Sequence, residues 1–147
     1  MVVAAATTVV GNGDHVSEMS NDLGSGSSFT DALARFEPEP DRPIYTPRIA
    51  AAFVGTSTWL GSVRREHDRV VHTARAADLS PSRWWLLHTY SGSSFHPVAD
   101  GVPRERSGHG PVPTLDTVWR ALGDDVRVAA VSGRPGSREL SESRSVH

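Results

Sequence analysis

The sequence predicts a layered α+β fold in which helices cover a face of an antiparallel sheet. Five runs rich in apolar and β-branched residues indicate strands, and two segments with helical spacing of apolar residues indicate helices. Their order along the chain is strand, helix, three strands, helix, strand. Consecutive strands joined by short turns favour antiparallel pairing, with the helices packed against the sheet. A length of 147 residues suits one domain.

The first elements surround a turn signal. Val2–Val10 is predicted to form a strand, and Gly11–Asp14 forms the turn that follows it. Ser28 and Asp31 have the spacing of a capping box, so we expect a short helix over Phe29–Phe36. The proline-rich segment that comes next ends this helix.

The middle of the chain supplies the next three strands. Arg48–Val54 is predicted to be a buried strand, followed by strands at Arg69–Ala76 and Arg83–Tyr90. We interpret Thr56–His67 as a loop or a wide hairpin. Ser91–Pro113 is rich in Gly, Pro and Ser and is predicted to be mostly loop.

The C-terminal part predicts a helix, a strand and a tail. Thr114 can cap a helix that stops near Gly123. Its apolar residues follow the i, i+3, i+4, i+7 pattern and are Leu115, Val118, Trp119 and Leu122. Val126–Val131 is the last predicted strand. The domain is therefore expected to span residues 1–131, and the polar residues 132–147 are expected to be disordered.

Composition argues against a nucleic-acid partner or an anionic membrane. The 15 basic residues are all Arg, and 17 acidic residues balance them to a net charge of −2. Arg suits phosphate or carboxylate recognition, although a chain with many Arg and no Lys also fits coding bias. Hydrophobic residues make up only 37% of the chain, which suggests that part of it lies outside the core.

Several common site chemistries are excluded or unsupported. The chain has no Cys, so disulfides, thiolate catalysis and Cys-based metal centres are excluded. His67 and His72 lack zinc-ligand spacing, and no Gly-x-Ser-x-Gly elbow occurs. No basic signal-peptide region and no apolar run near ~18 residues occurs. We therefore expect a soluble cytoplasmic protein.

The stretch EPDRPIYTPRIA, Glu39–Ala50, is the most unusual part of the sequence. Its three prolines fix backbone angles and remove hydrogen-bond donors. We predict a stiff, extended segment that holds an acid and an arginine in fixed places.

Four segments together resemble the inosine monophosphate cyclohydrolase-like family. They are VVGNGDH, SFTDALARFEPEPDRPIYTPRIA, HTYSG and TVWRALGDDVRVAAV, and they occur in the family's order. The agreement runs from about Val9 to Val131, and Glu39–Arg48 is its most specific part.

The resemblance implies a fold and a reaction. The fold is a four-layer α/β/β/α sandwich like that of the N-terminal-nucleophile hydrolases, but without their nucleophile. The reaction closes the imidazole carboxamide ring of a formylated purine nucleotide precursor to give inosine monophosphate. It needs no metal and no organic cofactor.

The chain resembles only the C-terminal two-thirds of that fold. The family carries a further N-terminal stretch rich in Tyr, Gly, Arg and Ser. The alternative is therefore a truncated, non-catalytic nucleotide-binding or interaction module of the same fold. An incomplete sandwich exposes apolar surface, so we expect a homo-oligomer or a complementing chain as partner.

Two residues are candidates for catalysis under this resemblance. Ring closure needs proton transfer to and from poor reacting groups, and Glu39 is the candidate acid/base. Arg48 opens an apolar strand and can clamp the carboxamide, the developing oxyanion or the phosphate. The structural alternatives are a solvated loop acid at Glu39 and an Arg48 that bridges Glu39 or Asp41.

Six further residues are candidates for substrate binding, and each has a structural alternative. They are Asn12, Asp14, Tyr45, Thr46, His88 and Tyr90. The Asn-Gly-Asp turn follows a strand end, where ligand contacts are common, but Asn-Gly is also a good hairpin turn. The Tyr and His positions equally suit packing, and His88 and Tyr90 are expected on one face of a strand.

Overall fold

The computed structural model describes residues 2–4, 7–80, 83–93, 96–107, 114–121, 129–133 and 140–145. The strands are β1 (Val2–Ala4), β2 (Thr7–Gly11), β3 (Arg48–Val54), β4 (Ser57–Glu66), β5 (Arg69–Ala76), β6 (Arg83–Leu86), β7 (Tyr90–Ser93), β8 (His96–Ala99), β9 (Arg104–Ser107), β10 (Ala129–Gly133) and β11 (Leu140–Ser145). The helices are α1 (His15–Gly24), α2 (Phe29–Leu33) and α3 (Leu115–Ala121).

Strands β1 to β5 form one sheet in chain order, and each neighbouring pair is antiparallel. The predicted strands at Arg48–Val54 and Arg69–Ala76 are confirmed with the same bounds. The single strand predicted over Val2–Val10 is wrong, because β1 pairs back onto β2. This run of Val, Ala and Thr has no change in its pattern of apolar and polar residues that would indicate where one strand ends and the next begins.

The loop predicted at Thr56–His67 is also wrong, because most of it forms β4, the longest strand. This strand pairs with β3 on one side and β5 on the other. Gly61 sits in its interior where α2 approaches closely. A Cβ there would lie 2.6 Å from Phe29 Cε1 and 2.7 Å from Leu33 Cδ2. Glycine therefore serves helix packing here, not a turn.

Helix α1 was not predicted, although it forms much of the core. It begins after Asp14 and buries Val16, Met19 and Leu23 at helical spacing. Helix α2 is confirmed at its start, where the Ser28 hydroxyl accepts a hydrogen bond from the Asp31 N–H. It ends at Leu33, earlier than predicted.

The five-stranded sheet has one face packed against α1 and α2. We call this the helix-covered face, and Ala50 and Ala52 of β3 lie on it, fully buried. Strand alternation turns Ile49, Ala51 and Phe53 to the opposite side, which we call the second face, where they are only half-buried. The core therefore lies between the helices and the sheet.

The later strands form three two-stranded antiparallel sheets, β6 with β9, β7 with β8, and β10 with β11. The predictions of one strand over Arg83–Tyr90 and of a loop over Ser91–Pro113 are therefore wrong. The strand stops at Leu86, which forms the last pair of the β6–β9 ladder with Arg104. Segments rich in Gly, Pro and Ser can still pair when the partner strand lies nearby.

Only part of the C-terminal segment for which we made predictions lies within the described residues. The helix after Thr114 is confirmed as α3, while Leu122, Gly123 and residues 126–128 lie outside the described residues. The structure differs from the expected disordered tail, because Leu140–Ser145 pairs with β10 through backbone hydrogen bonds, which need no apolar pattern.

The described residues confirm an α+β fold with antiparallel sheets and few helices. Among these residues, every helix is too short and too polar to cross a bilayer.

Candidate functional site

The Arg48 guanidinium is the centre of a charged cluster at the start of β3. Its Nη1 lies 2.9 Å from Glu39 Oε1 and also donates to Asp14 Oδ1. Its Nε donates to the Glu37 carbonyl at 2.9 Å. Only 13% of the Arg48 side chain is exposed, so these contacts fix the head group in one orientation.

His15 is a member of this cluster that the sequence analysis did not select. Its side chain is 1% exposed, and Nε2 donates to the Ile49 carbonyl at 3.1 Å. That bond leaves Nδ1 as the acceptor of the neutral ring, 3.4 Å from Arg48 Nη1. Burial lowers the pKa of His15, and the nearby Arg48 charge lowers it further. The neutral ring therefore orients Arg48.

Gly13 allows the backbone to approach the cluster closely. A Cβ at this position would lie 3.1 Å from Glu39 Oε1 and 3.2 Å from His15 Nδ1. The glycine of the Asn-Gly-Asp turn thus leaves room for charged groups.

Asp14, His15 and Glu39 carry atoms that could bind a metal, and these atoms lie within 4.8 Å of one another. Arg48 Nη1 contacts all three side chains. A guanidinium, itself a cation, therefore takes the position that a metal ion would need. The hydrogen bond and the charge of Arg48 also lower the pKa of Asp14.

The proline-rich segment carries Glu39 into this cluster by folding back on itself. The Glu39 N–H donates to the Thr46 carbonyl at 3.0 Å, and the N–H groups of Ile44 and Tyr45 both donate to the Asp41 carbonyl. The prediction of an extended segment is wrong for this reason. We call residues 39–46 the closed loop, and it still holds the acid in a fixed place.

A hydroxyl pair lies at the base of the closed loop. Thr46 donates its hydroxyl to the Asp41 carboxylate and accepts from the Tyr90 hydroxyl. The Thr46 N–H also donates to Asp41 Oδ1 at 2.7 Å. The Thr46 hydroxyl and N–H lower the pKa of Asp41. The predicted residues Thr46 and Tyr90 therefore contact each other directly, and Thr46 also bonds Asp41, which was not selected as a site residue.

Asn12 uses both ends of its amide to hold the backbone. Oδ1 accepts from the Ile49 N–H and Nδ2 donates to the Pro47 carbonyl, each at 2.8 Å. A weaker contact of 3.4 Å reaches the Thr89 hydroxyl. This geometry assigns Asn12 to positioning the segment that carries Arg48. Asn12 also borders a cavity of about 230 Å³. The residues that line this cavity are Val10, Gly11, Asn12, Ile49, Ala50, Ala51 and Leu87.

His88 belongs to a separate cluster with Asp100 and Arg104. Its Nδ1 donates to the Tyr90 carbonyl at 2.6 Å, and its Nε2 accepts from Arg104 at 2.9 Å. Arg104 also pairs with Asp100 at 2.6 Å. Burial raises the pKa of Asp100, but bonds from the Val102 N–H and Arg104 outweigh it, so this pKa is lowered.

The predicted strand face shared by His88 and Tyr90 is wrong, because β7 begins at Tyr90. The structure places three of the selected residues, Glu39, Arg48 and Asp14, in one cluster and places Thr46 with Tyr90 in another. The contributions of His15 and Asp41 were missed. His15 directly follows the selected Asp14, but only the helix start at that point turns it towards Arg48.

Acid should destabilise the protein through His15. Because burial lowers its pKa, the folded state resists protonation, and stability falls as the pH drops below about 6.5. His15→Gln keeps one donor for the Ile49 carbonyl and one acceptor for Arg48 without titrating. We expect this variant to lose less thermal stability than wild type between pH about 7.5 and about 5.

The matched control for this measurement is His72→Gln. His72 is exposed and also donates to a backbone carbonyl, that of Phe36, at 2.9 Å. Its replacement removes an imidazole that bonds the Phe36 carbonyl and not the Arg48 cluster, so the two variants can be compared in the same measurement. Equal pH dependence in wild type and His15→Gln would contradict the assignment of a neutral, buried His15.

Comparison with known proteins gives two matches. The family model described as "IMP cyclohydrolase-like protein" matches residues 1–105. An IMP cyclohydrolase of Methanothrix thermoacetophila is 34% identical over 95 residues. The aligned part is 62% of this chain and 45% of that relative, so the chain matches less than half of the relative's length.

Proposed function

The chain belongs to the IMP cyclohydrolase-like family, and from this premise we propose that it closes the ring of a formylated imidazole carboxamide ribonucleotide to give inosine monophosphate. The substrate is then a purine nucleotide precursor, and the reaction belongs to purine biosynthesis in the cytoplasm. The relative's name supports the reaction class.

One observation carries the proposal: a carboxylate and a guanidinium meet at 2.9 Å beside the Asn-Gly-Asp turn. Ring closure joins the carboxamide nitrogen to the formyl carbon and then expels water. Glu39 takes the carboxamide N–H proton as the C–N bond forms and returns it to the former formyl oxygen, which becomes a hydroxyl. The N–H proton of the former formamide is then transferred through Glu39 to that hydroxyl, so that water leaves and the C=N bond of the ring forms. Arg48 stabilises the negative charge that develops on the former formyl oxygen.

The surrounding contacts supply the rigidity that such a step requires. A cyclisation gains most when the reacting groups are held near attack distance, and the protein must be fixed to hold them. The closed loop fixes Glu39, and His15 with Asn12 fixes the segment of Arg48. The proposed chemistry uses side chains alone and needs no cofactor.

The test is a spectroscopic assay of ring closure. The purified chain is mixed with the formylated carboxamide ribonucleotide, and ultraviolet absorbance reports formation of the purine ring. We expect a rate above the spontaneous one that scales with protein concentration. A rate equal to the spontaneous one at all protein concentrations would contradict catalysis by this chain.

A second candidate is a non-catalytic nucleotide-binding module of the same fold. The comparison favours this candidate because the chain matches less than half of the relative. Any site residues in the unmatched part of that relative have no counterpart in the matched segment. Binding of inosine monophosphate without acceleration of ring closure would support this candidate over the enzyme.

We also propose the four-layer α/β/β/α sandwich as the fold of the complete assembly. Segments after β5 lie on the second face: Arg75 stacks on Trp85 at 5.0 Å, and a Cβ at Gly101 would lie 3.2 Å from Ser62 Cβ. This arrangement supports a second β layer. Its outer residues Trp84 and Leu86 are exposed.

Exposed apolar residues on this second layer should promote self-association. A lone two-stranded sheet is marginally stable, and a second copy of the chain would bury Trp84 and Leu86. We expect light scattering after size-exclusion chromatography to give a mass above that of the monomer, and Trp84→Ser to lower it. A well-folded wild-type monomer at all concentrations would contradict this prediction.

A further inference from the structure

A series of side-chain hydrogen bonds joins the closed loop to the first residue of β7. Thr46 donates its hydroxyl to the Asp41 carboxylate and contacts the hydroxyl of Tyr90. The pKa of Asp41 is lowered, so this carboxylate is ionised at neutral pH and can only accept. A hydroxyl has one proton, and that of Thr46 is used by Asp41. The Tyr90 hydroxyl is therefore the donor to Thr46, which fixes the direction of the whole series.

Thr46 also holds the acid of the candidate site through its backbone. Its carbonyl accepts from the Glu39 N–H at 3.0 Å, and its own N–H donates to Asp41 Oδ1 at 2.7 Å. Thr46 lies two residues before Arg48, whose Nη1 is 2.9 Å from Glu39 Oε1. A displacement of Thr46 would therefore move Glu39 relative to Arg48.

The closed loop depends on such bonds because packing contributes little to it, since residues 40–44 are all exposed to solvent. Within the described part of the chain, the hydrogen bonds and ion pairs of the loop are internal to it, with two exceptions. The first is the ion pair of Glu39 with Arg48. The second is the bond that Thr46 accepts from Tyr90, which joins the loop to a segment 44 residues away.

Tyr90 can fix this loop because its own backbone is held by a separate cluster. Its carbonyl accepts from His88 Nδ1 at 2.6 Å, and Arg104 donates to His88 Nε2 at 2.9 Å. Arg104 also pairs at 2.6 Å with Asp100, whose side chain is only 4% exposed. The Asp100 N–H donates to the Thr89 carbonyl at 2.9 Å. These contacts hold the segment that carries the Tyr90 hydroxyl.

We propose that Tyr90 is a positioning residue that acts through Thr46: its hydroxyl holds the closed loop in place and keeps the Glu39 carboxylate in position for proton transfer. The inference rests on the proposed function for the reaction in which this position matters. A loop that opens more often spends less time in the reactive arrangement, so the rate of proton transfer falls. Thr46 and Tyr90, both candidates for substrate binding, then contribute to the reaction through Glu39.

The first measurement follows the Glu39 N–H, which exchanges with solvent when its bond to the Thr46 carbonyl opens. Amide hydrogen exchange is recorded by nuclear magnetic resonance in wild type and in Tyr90→Phe, which removes the hydroxyl and keeps the ring. Loss of this hydrogen bond should make Glu39 exchange about threefold to tenfold faster. Unchanged exchange of Glu39 in Tyr90→Phe would overturn the inference.

The matched control is Tyr45→Phe, because Tyr45 is the other tyrosine of the chain and lies in the closed loop. The guanidinium carbon of Arg65 lies 4.4 Å from the centre of its ring, and phenylalanine keeps that contact. Exchange of the Glu39 N–H should stay as in wild type. Equal acceleration in both variants would show a general sensitivity of the loop and overturn the inference.

Further variants test whether Tyr90 acts through Thr46. Thr46→Ser keeps a hydroxyl and should exchange at Glu39 as wild type does, whereas Thr46→Val removes the hydroxyl and should accelerate this exchange. In the Thr46→Val background, Tyr90→Phe should have no further effect, because the bond that it removes is already absent. Additive effects of the two substitutions would overturn the inference.

The ring-closure assay tests the positioning role and separates the inference from the proposed function. Tyr90→Phe should lower kcat by about twofold to tenfold and leave KM unchanged, with unchanged circular dichroism. Faster exchange of Glu39 with a wild-type kcat would overturn the positioning role. Faster exchange in a chain that shows no ring closure would support the control of Glu39 by Tyr90 and contradict the enzyme.

Discussion

Replacement of Arg48 with alanine is expected to abolish ring closure above the spontaneous rate and to lower the unfolding temperature. The guanidinium contacts Glu39 and Asp14 directly and faces His15 Nδ1 at 3.4 Å. Its removal leaves the partly buried Glu39 and His15 without this partner, at a cost of about 1–3 kcal/mol. Loss of a charged group at the oxyanion costs about 10²–10³-fold in rate.

Arg48→Lys separates the two effects. Lysine keeps the positive charge but cannot bond Glu39, Asp14 and the Glu37 carbonyl at once from a planar fork. We expect partial recovery of the unfolding temperature with little recovery of the rate. Wild-type activity in Arg48→Ala, measured with the absorbance assay, would contradict a role for this guanidinium in the reaction.

Replacement of Glu39 with glutamine is expected to lower the rate of ring closure by about 10²–10⁴-fold, the usual contribution of a positioned acid or base. The amide oxygen can still accept from Arg48, so the fold should remain intact. The absorbance assay and thermal unfolding, run on the same preparation, test both parts of this prediction.

Glu37→Gln is the matched control for Glu39. Glu37 lies two residues earlier, its side chain is exposed, and only its backbone carbonyl contacts Arg48. The control should keep the wild-type rate. If both variants lost activity equally, or neither did, Glu39 would be no more than the structural partner of Arg48.

The ease with which elements could be predicted depended on what buried them. Arg48–Val54 was predicted correctly because this central strand is apolar on both faces: its helix-covered face is buried and its second face is half-buried. Strand β4 was not predicted, because Gly61 and the polar residues of this strand do not indicate a strand by themselves. They fit the elements that pack against β4 in the folded chain. Helix α1 was hidden by Ser, Asn and Asp between its buried residues.

The contacts of the candidate site could likewise be anticipated only where the residues lie close together in the sequence. Glu39 and Arg48 lie on one short segment, so their contact could be anticipated from local sequence. Asn12 was selected for its turn, but its true role depends on the distant Pro47 and Ile49 backbone. His15 reaches the site from α1, an element that was not predicted, so the contact of its ring with Arg48 could not be anticipated.

The central claim is that the Asn-Gly-Asp turn, the closed loop and the start of β3 form one nucleotide site. The most direct test is titration of the isotope-labelled chain with inosine monophosphate, followed by amide chemical shifts. The largest changes should occur at Gly13, Asp14, Glu39 and Arg48. Changes confined to the larger cavity of about 460 Å³ at the β4–β5 turn, lined by Glu66, His67, Asp68, Arg69 and Val71, or no changes, would contradict the claim.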